Sequence, residues 1–426
     1  MKTNRRSFIT GAGAIVASAV ATSAHAQGVL DEIFGSTRRG AWNEQFDARV
    51  SDDNGGAGGV TGSLVTNQPI MSPETLFNVQ QAIAHYSNLA AQGGWPMVPA
   101  RKRLQMGVAD PDVEILRRRL RFSGDLSERA GISPAFDTYV DAALKRFQSR
   151  HGLPADGVTS EHTFAAMNVS TQVRLGQLET NLVRLNSMAN GNLGARYVMV
   201  NIPAAQIEAV EGGRVVSRHT AIVGKIDRQT PILESKINQI IVNPYWNAPV
   251  SIVRRDIIPL MRENPNYLRD NAIRLIDSNG NEVDPMTVDW STDEATRLRF
   301  RQDPGRINAM ASVKIDFPNA HSVYMHDTPQ QSLFNDIERF HSSGCVRVQN
   351  VRDLVTWMLQ GTEGWDRRRF EDTIHNDADV TIRLGDPVPV YFTYFSAWST
   401  GHNVVHFRDD IYGKDGVDEL QISTAL

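Results

Sequence analysis

The segments Val323-Tyr-Met-His-Asp-Thr-Pro329 and His341-Ser-Ser-Gly-Cys-Val-Arg-Val348 bring the only cysteine of the chain close in sequence to a histidine. Alternating apolar residues at the start of the first segment predict a buried strand that carries His326. A free thiol is mostly protonated at neutral pH, so a reactive Cys345 requires a base such as a nearby imidazole. Gly344 would let the backbone pass close to a substrate, and the Cys345 amide could point at a developing oxyanion.

Residue types alone leave a second interpretation open. A single cysteine is often an inert, buried, small hydrophobic side chain, and a histidine on a strand is often a hydrogen-bonded core residue. A cysteine and a histidine are also a general catalytic device that does not transfer between families by itself. The wider motif therefore decides between these interpretations.

The order and spacing of several further residues provide that motif. His326-Asp-Thr-Pro329 is followed by Leu333-Phe334, by Arg339 and by Ser342-Ser-Gly-Cys-Val-Arg347. This pattern resembles the catalytic signature of L,D-transpeptidases, the YkuD-like cysteine enzymes that cross-link bacterial peptidoglycan. The resemblance implies that Cys345 is the nucleophile of an acyl transfer.

The resemblance also implies a role for each neighbour of the cysteine. His326 would take the thiol proton, and backbone amides near Gly344 and Cys345 would meet the oxyanion, with the Tyr324 hydroxyl as a further candidate donor. Arg347 would either recognise a substrate carboxylate or hold the catalytic loop.

One position departs from the family pattern. Ser343 stands where many relatives have a second histidine. We therefore expect another group, such as a backbone carbonyl, to orient His326. His341 is an alternative partner, whereas Asp327 should face the other side of the strand because successive strand side chains alternate.

Composition and charge limit the class of protein. The chain has 426 residues, of which 41% are hydrophobic and 22% charged, as in globular proteins of about two or three domains. The net charge of −4 and the pI of about 6.3 give no general attraction to nucleic acid, so we expect no nucleic-acid partner. The other histidines lack paired ligand spacing, so we expect no metal and no cofactor.

The N-terminus has the features of an export signal. Asn4-Arg-Arg-Ser-Phe-Ile-Thr10 is a twin-arginine motif, an apolar stretch follows, and Ala24-His-Ala26 before Gln27 is a small-x-small cleavage site. We expect a periplasmic mature protein. No other stretch approaches about 18 uninterrupted apolar residues, so no membrane span is expected after signal removal.

Residues 107 to 170 predict a compact unit of three amphipathic helices. Phe147-Gln-Ser-Arg-His-Gly-Leu-Pro-Ala-Asp-Gly-Val158 resembles the hallmark of the three-helix peptidoglycan-binding module. From Tyr197 onward the period changes to that of short antiparallel strands. Residues 248–303 form a polar, turn-rich insertion that interrupts the strand pattern, and long excursions of this kind tend to be lids or binding loops. The large, periplasmic YcbB-like branch of the family carries a capping subdomain at this point.

We therefore predict an α+β multidomain protein with a three-helix peptidoglycan-binding-like module and a β-rich L,D-transpeptidase domain that contains an inserted cap. The predicted divisions are a signal peptide (1–26), a flexible linker (27–70), a helical scaffold segment (71–106), the module (107–170), a connecting helix (171–195), the catalytic domain (196–395) and a C-terminal tail (396–426).

The expected activity is the formation of diaminopimelate–diaminopimelate cross-links between peptidoglycan stem peptides, by a carbapenem-sensitive cysteine enzyme. The motifs do not choose the acceptor. Water would make the enzyme a carboxypeptidase or amidase, and a protein lysine would make it an anchoring enzyme. A wall-binding scaffold with a silent thiol is the alternative from a different class.

Overall fold

The computed structural model of this chain describes residues 66–189, 191–376, 378–401 and 404–417. The predicted signal peptide and residues 27–65 of the predicted linker lie outside these ranges. Within them, no helix combines the length and the apolar character that a membrane crossing requires.

The described residues before the first strand form five α-helices. Ser72 caps the first helix by accepting a hydrogen bond of 3.1 Å from the Thr75 amide, and Pro73 stands in its first turn. The helices are α1 (Pro73–Ala91), α2 (Pro111–Phe122), α3 (Thr138–Arg150), α4 (Glu161–Asn168) and α5 (Thr171–Ala189), and a short 3₁₀ helix spans Glu128–Ala130.

The predicted helical module consists of α2, α3 and α4. Each of these helices begins at a side chain that accepts hydrogen bonds from the first turn, namely Asp110, Asp137 and Ser160. Their apolar faces meet in one buried core, which contains Val113, Leu116, Leu120, Val140, Ala143, Leu144, Phe147, Phe164 and Met167. The three predicted helical faces are confirmed.

A nine-stranded sheet follows, in the order β11-β3-β12-β10-β9-β4-β13-β1-β2. Strand β2 also pairs with β3, so the sheet closes on itself. The strands are β1 (Arg196–Asn201), β2 (Gln206–Glu211), β3 (Arg214–Gly224), β4 (Leu233–Val242), β9 (Val313–Asp316), β10 (Met325–His326), β11 (Phe340–Ser342), β12 (Val346–Val348) and β13 (Val380–Thr393).

The expectation of antiparallel strands is confirmed for β1, β2 and β3 but does not hold for the whole sheet. Parallel pairs join β1 to β13, β10 to β12 and β11 to β3. The partners in the first pair lie far apart in sequence, and periodicity carries no information about such a pairing. The apolar face of the sheet packs against α9 (Val351–Met358) and α10 (Arg367–His375).

The insertion contains strands that the sequence analysis did not predict. A separate four-stranded sheet has the order β5-β8-β6-β7, made of β5 (Trp246–Asn247), β6 (Ile273–Ile276), β7 (Glu282–Val283) and β8 (Arg299–Gln302). These strands span two to four residues, too short for alternation to be recognised. The helical part comprises α6 (Val250–Ile252), a π-helix (Val253–Ile257), α7 (Ile258–Glu263) and α8 (Tyr267–Asp270), and 3₁₀ helices span Pro285–Thr287 and Glu294–Arg297. We call residues 246–303 the cap.

Two predicted boundaries need correction. The predicted C-terminal tail begins with a hairpin, β14 (Ala397–Gly401) and β15 (Val404–Phe407), which packs with α1 and α5 in a second core cluster. At the other end, residues 66–70 are packed rather than linker-like. Ile70 is buried, and its amide donates to the Glu208 carboxylate over 3.0 Å.

Candidate active site

Strands β10 and β12 place the predicted nucleophile and base on one face of the sheet. They run parallel, with His326 opposite Arg347, and the Val346 amide donates a hydrogen bond of 3.0 Å to the Tyr324 carbonyl. Alternate side chains of a strand point to the same face. Tyr324 and His326 therefore share a face with Cys345 and Arg347, and the Tyr324 and His326 rings meet edge to face at 5.4 Å.

A backbone carbonyl orients the His326 imidazole. Its Nδ1 lies 2.6 Å from the carbonyl oxygen of Asp327. A carbonyl oxygen can only accept, so Nδ1 carries the proton and Nε2 carries the lone pair. Burial and the positive charges of Arg347 and Lys314 lower the pKa of His326 to about 3. The imidazole is therefore neutral at pH 7, and the predicted carbonyl contact is confirmed.

The Asp327 carboxylate is engaged away from the imidazole. Its two oxygens accept hydrogen bonds from the Ser312 hydroxyl over 2.6 Å and from the Thr328 amide over 2.8 Å. These contacts hold the carboxylate in the segment around β10. They agree with the prediction that Asp327 is not the third member of a triad.

Residues 342–345 form a tight turn, which we call the cysteine turn. The Ser342 hydroxyl donates to the Cys345 carbonyl over 2.5 Å and accepts from the Gly344 amide over 3.1 Å. Gly344 has φ of 114°, a conformation that side chains with a Cβ rarely adopt. The Ser342 hydroxyl thus engages the Gly344 amide, one of the two expected oxyanion donors.

The thiol and its phenol neighbour are both protonated at neutral pH. Cys345 is half-buried, and burial raises the pKa of its thiol to about 11, although hydrogen bonding from Tyr324 acts in the opposite direction. Burial and the nearby thiol raise the pKa of Tyr324 well above its usual range, while a hydrogen bond with the Trp246 side chain of the cap lowers it. The Tyr324 hydroxyl therefore keeps its proton beside the sulfur.

Arg347 is buried beneath this group of residues. It is 2% exposed, and its Nη1 donates to the Gln330 side-chain oxygen over 2.7 Å. Burial lowers the pKa of Arg347 to about 10, so the guanidinium remains charged at neutral pH. Arg347 thereby contacts the loop that follows β10, and its two expected roles, recognition of a substrate carboxylate and support of the catalytic loop, stay predictions.

Ser343 and His341, the two remaining predicted neighbours of the site, contact residues other than His326. The Ser343 hydroxyl accepts a hydrogen bond of 3.0 Å from Arg228. His341 Nε2 lies 3.3 Å from the Asp336 carboxylate. Burial, with Arg347 nearby, lowers the pKa of His341 to about 4. His341 is thus neutral at pH 7.

Two neighbours of the site, Lys314 and Trp246, were not predicted from the sequence. Lys314 lies on β9 opposite His326, with its Nζ 4.6 Å from the centre of the Tyr324 ring. Trp246 belongs to a two-residue strand of the cap. The register of β9 against β10 would have identified Lys314, but the sequence alone does not provide that register. Among the described residues, no group of three or more histidine, cysteine, aspartate or glutamate side chains is arranged to hold a metal ion.

Two segments of the chain match known protein families. Residues 195–389 match the family model "L,D-transpeptidase catalytic domain", known as YkuD. The chain carries an L,D-transpeptidase catalytic domain. The matched range includes β10, the cysteine turn and the cap. Residues 109–167 match the model "Putative peptidoglycan binding domain", so the helical module precedes the transpeptidase domain as predicted.

A relative from Haemophilus influenzae, named "Putative L,D-transpeptidase", is 35% identical over 219 residues, which cover 51% of this chain and 44% of the relative. The match thus spans less than half the length of that relative.

Two solved L,D-transpeptidase structures are also similar to this chain. The one from Xylanimonas cellulosilytica is 16% identical and covers 69% of this chain and 99% of its own, with a TM-score of 0.20. The one from Stackebrandtia nassauensis is 14% identical and covers 70% and 96%, with a TM-score of 0.26. TM-scores this low carry no weight for fold or function.

Proposed function

We propose that this protein is an exported cysteine L,D-transpeptidase that joins diaminopimelate residues of neighbouring peptidoglycan stems. The observation that carries the proposal is the shared sheet face of His326 and Cys345 within the segment that matches the transpeptidase family. A base with its lone pair on Nε2 and a thiol immediately before the adjacent strand are the two groups that an acyl transfer by cysteine requires.

In the first step, the Cys345 sulfur attacks the carbonyl at the L-centre of diaminopimelate in a donor tetrapeptide. His326 Nε2 takes the thiol proton and delivers it to the departing amine of D-alanine. A sulfur–carbon bond forms and a carbon–nitrogen bond breaks, which leaves a thioester on the enzyme. Thiol and imidazole are both neutral at rest, so the proton moves as the sulfur attacks.

In the second step, the amine of an acceptor stem attacks the thioester. His326 takes the amine proton and returns it to the sulfur as the new amide forms. The Cys345 amide and the Tyr324 hydroxyl are assigned to the oxyanion in both steps. Donors of this kind contribute about 3 kcal/mol each to the stability of the transition state.

The other parts of the chain are assigned to supporting roles. Arg347 holds the segment around Gln330, and Ser343 anchors the cysteine turn. The helical module brings the enzyme to the wall, and the cap covers the substrate side of Cys345, as in the YcbB-like branch. The proposed route to the periplasm is the twin-arginine pathway.

The test uses purified mature protein and tetrapeptide-bearing muropeptides, with products identified by mass spectrometry. We expect the wild type to release D-alanine and form dimers, and Cys345→Ala to form none. His326→Gln should reduce the rate by at least about a hundredfold, because proton transfer by a positioned base contributes that much. Retained cross-linking by Cys345→Ala would exclude the proposal.

The same digest distinguishes the acceptors. Shortened tripeptide stems without dimers would indicate water as the acceptor, and attachment to an added lysine-containing peptide would indicate protein anchoring. Intact-mass measurement after incubation with a carbapenem tests the scaffold alternative. A folded protein without an adduct on Cys345 would favour a wall-binding scaffold.

A further inference from the structure

The loop that connects β3 to β4 is packed directly against the cysteine turn. Thr230 joins the two, because its hydroxyl accepts from the Gly224 amide and donates to the Gly344 carbonyl, each over 2.9 Å. The Lys225 amide donates to the Ser342 carbonyl over 2.9 Å. A Cβ on Gly224 would lie 2.1 Å from the Arg228 carbonyl oxygen. The backbone of this loop is therefore fixed against the turn.

Arg228 extends from this loop to two partners at once. Its Nη1 and Nη2 donate to the two Asp256 carboxylate oxygens over 2.6 and 2.8 Å, and Nη1 also donates to the Ser343 hydroxyl over 3.0 Å. The side chains of Arg228 and Asp256 are 15% and 12% exposed. This geometry is the planar fork that arginine, unlike lysine, makes with a carboxylate.

The two partners belong to different parts of the domain. Asp256 lies in the π-helix Val253–Ile257 of the cap, and Ser343 lies in the cysteine turn. Single π-helical turns within helices occur frequently at functional sites. Since Ser343 is separated from Cys345 only by Gly344, the position of its hydroxyl limits the path of the backbone into Cys345.

We propose that Arg228 and Asp256 are positioning residues that hold the cysteine turn through Ser343 and couple the alignment of Cys345 to the position of the cap. The inference rests on the proposed function. Neither residue is assigned a contact with the reacting atoms. The pair restrains position 343 from the cap side.

The experiment compares two reactions of Cys345 in the full-length mature protein. Acylation by imipenem, followed by intact mass, requires a thiol aligned with its base. Alkylation by iodoacetamide at pH 8 requires only an accessible thiolate. Arg228→Met and Asp256→Ala should slow acylation about tenfold or more, since small displacements of reacting groups have effects of that size. The same variants should speed alkylation several-fold, because loss of burial raises the thiolate fraction.

The controls separate positioning from general damage. Asp293→Ala removes an exposed pair of the cap, in which Arg254 donates to Asp293 over 2.8 Å, and it should change neither rate. The double variant Arg228→Met/Asp256→Ala should be no slower in acylation than either single variant, because both remove the same link. Asp256→Glu, which keeps the carboxylate, should recover part of the rate. Thermal denaturation confirms that each variant is folded.

Unchanged rates in both single variants, additive losses in the double variant, or equal losses with Asp293→Ala would each overturn the inference. Should Arg228→Met fail to fold, Asp256→Ala and Asp256→Glu still test it from the cap side. A wild type that imipenem does not acylate would count against the proposed function. The alkylation rates of the same variants would then still test the link between cap and turn.

Discussion

Two arginine–carboxylate pairs of similar geometry lie in different surroundings. Arg150 bonds both oxygens of Asp125 over 2.8 and 2.6 Å within the helical module and beside β15, where the side chains are only 4% and 3% exposed. Arg228 bonds Asp256 over 2.6 and 2.8 Å at the edge of the cysteine turn, where the exposures are 15% and 12%.

The first pair belongs to an interface with further buried charges. Arg150 also donates to the Val405 carbonyl over 3.0 Å. Arg119 lies 3.8 Å above the Trp95 ring, and Arg174 lies 4.5 Å above the Phe407 ring. Buried charges are tolerated only when they are matched closely, so these contacts hold the module against the hairpin of β14 and β15. The second pair joins two parts that each have their own sheet, so its loss should affect alignment more than folding.

The largest expected effect comes from breaking the buried pair. Asp125→Ala leaves Arg150 charged without its carboxylate and should lower the free energy of unfolding by about 3–5 kcal/mol. Urea denaturation followed by circular dichroism measures the loss. The matched control is the double variant Asp125→Leu/Arg150→Met, which removes both charges and should be considerably less destabilised. A loss below about 1 kcal/mol for Asp125→Ala would remove the distinction between the two pairs.

The interface also makes the fold sensitive to acid. His151 stacks on Phe147 at 3.9 Å, and burial with nearby Arg150 and Arg174 lowers the pKa of His151 well below its usual value. Below about pH 6.5 the unfolded chain takes up a proton on this residue, while the folded chain does not. The free energy of unfolding therefore decreases as the pH decreases. His151 alone should account for at most about 2 kcal/mol between pH 7 and pH 5.

Denaturation of the His151→Phe variant at both pH values tests this loss. The pH dependence should flatten relative to the wild type and to His162→Gln, a variant of an exposed histidine. An equal slope in all three proteins would show that the interface does not exclude the proton.

The sequence predicted elements that depend on local patterns, but it did not predict either of the two arginine–carboxylate pairs. Local periodicity predicted the three-helix unit of residues 107–170 and the connecting helix after it, and the structure adds caps such as Asp110 and Ser160. His326 and Cys345 could be predicted as a pair because their motifs lie close in sequence. The contact between Arg150 and Val405 that holds the module could not be predicted from the sequence, since these residues meet only in the folded chain.

The cap shows the same limit within the site. Its strands span as few as two residues, and Asp256 meets Arg228 through a π-helical turn that no sequence period indicates. Lys314 becomes a neighbour of His326 only through strand register. Local signals therefore predict elements and the reactive pair, while the groups that position that pair depend on tertiary packing.

A smaller effect on stability is expected at the cysteine turn. Arg228→Met should lower the free energy of unfolding by about 1 kcal/mol or less, because part-exposed pairs contribute little. Urea denaturation beside Asp125→Ala makes the comparison direct. A loss equal to that of Asp125→Ala would mean that the cap pair is a folding element and not a link between parts.

The smallest expected effect concerns the charge beside the thiol. Lys314 lies over the Tyr324 ring and lowers the pKa of the Cys345 thiol against the larger effect of burial. In the wild type, alkylation should accelerate about tenfold per pH unit from pH 7 towards 11, since the thiolate fraction follows the raised pKa. Lys314→Met raises that pKa further and should slow alkylation at pH 8 about two- to fivefold, while Lys314→Arg keeps the charge and the rate.

Arg369→Met is the matched control, because it removes a cation that lies 4.6 Å above the Trp365 ring, elsewhere in the protein. An alkylation rate for Lys314→Met equal to that of the control would show that this charge does not act on the sulfur. A slower rate in Lys314→Met alone would show that charges near the cysteine turn adjust the reactivity of Cys345, whereas those at the module interface stabilise the fold.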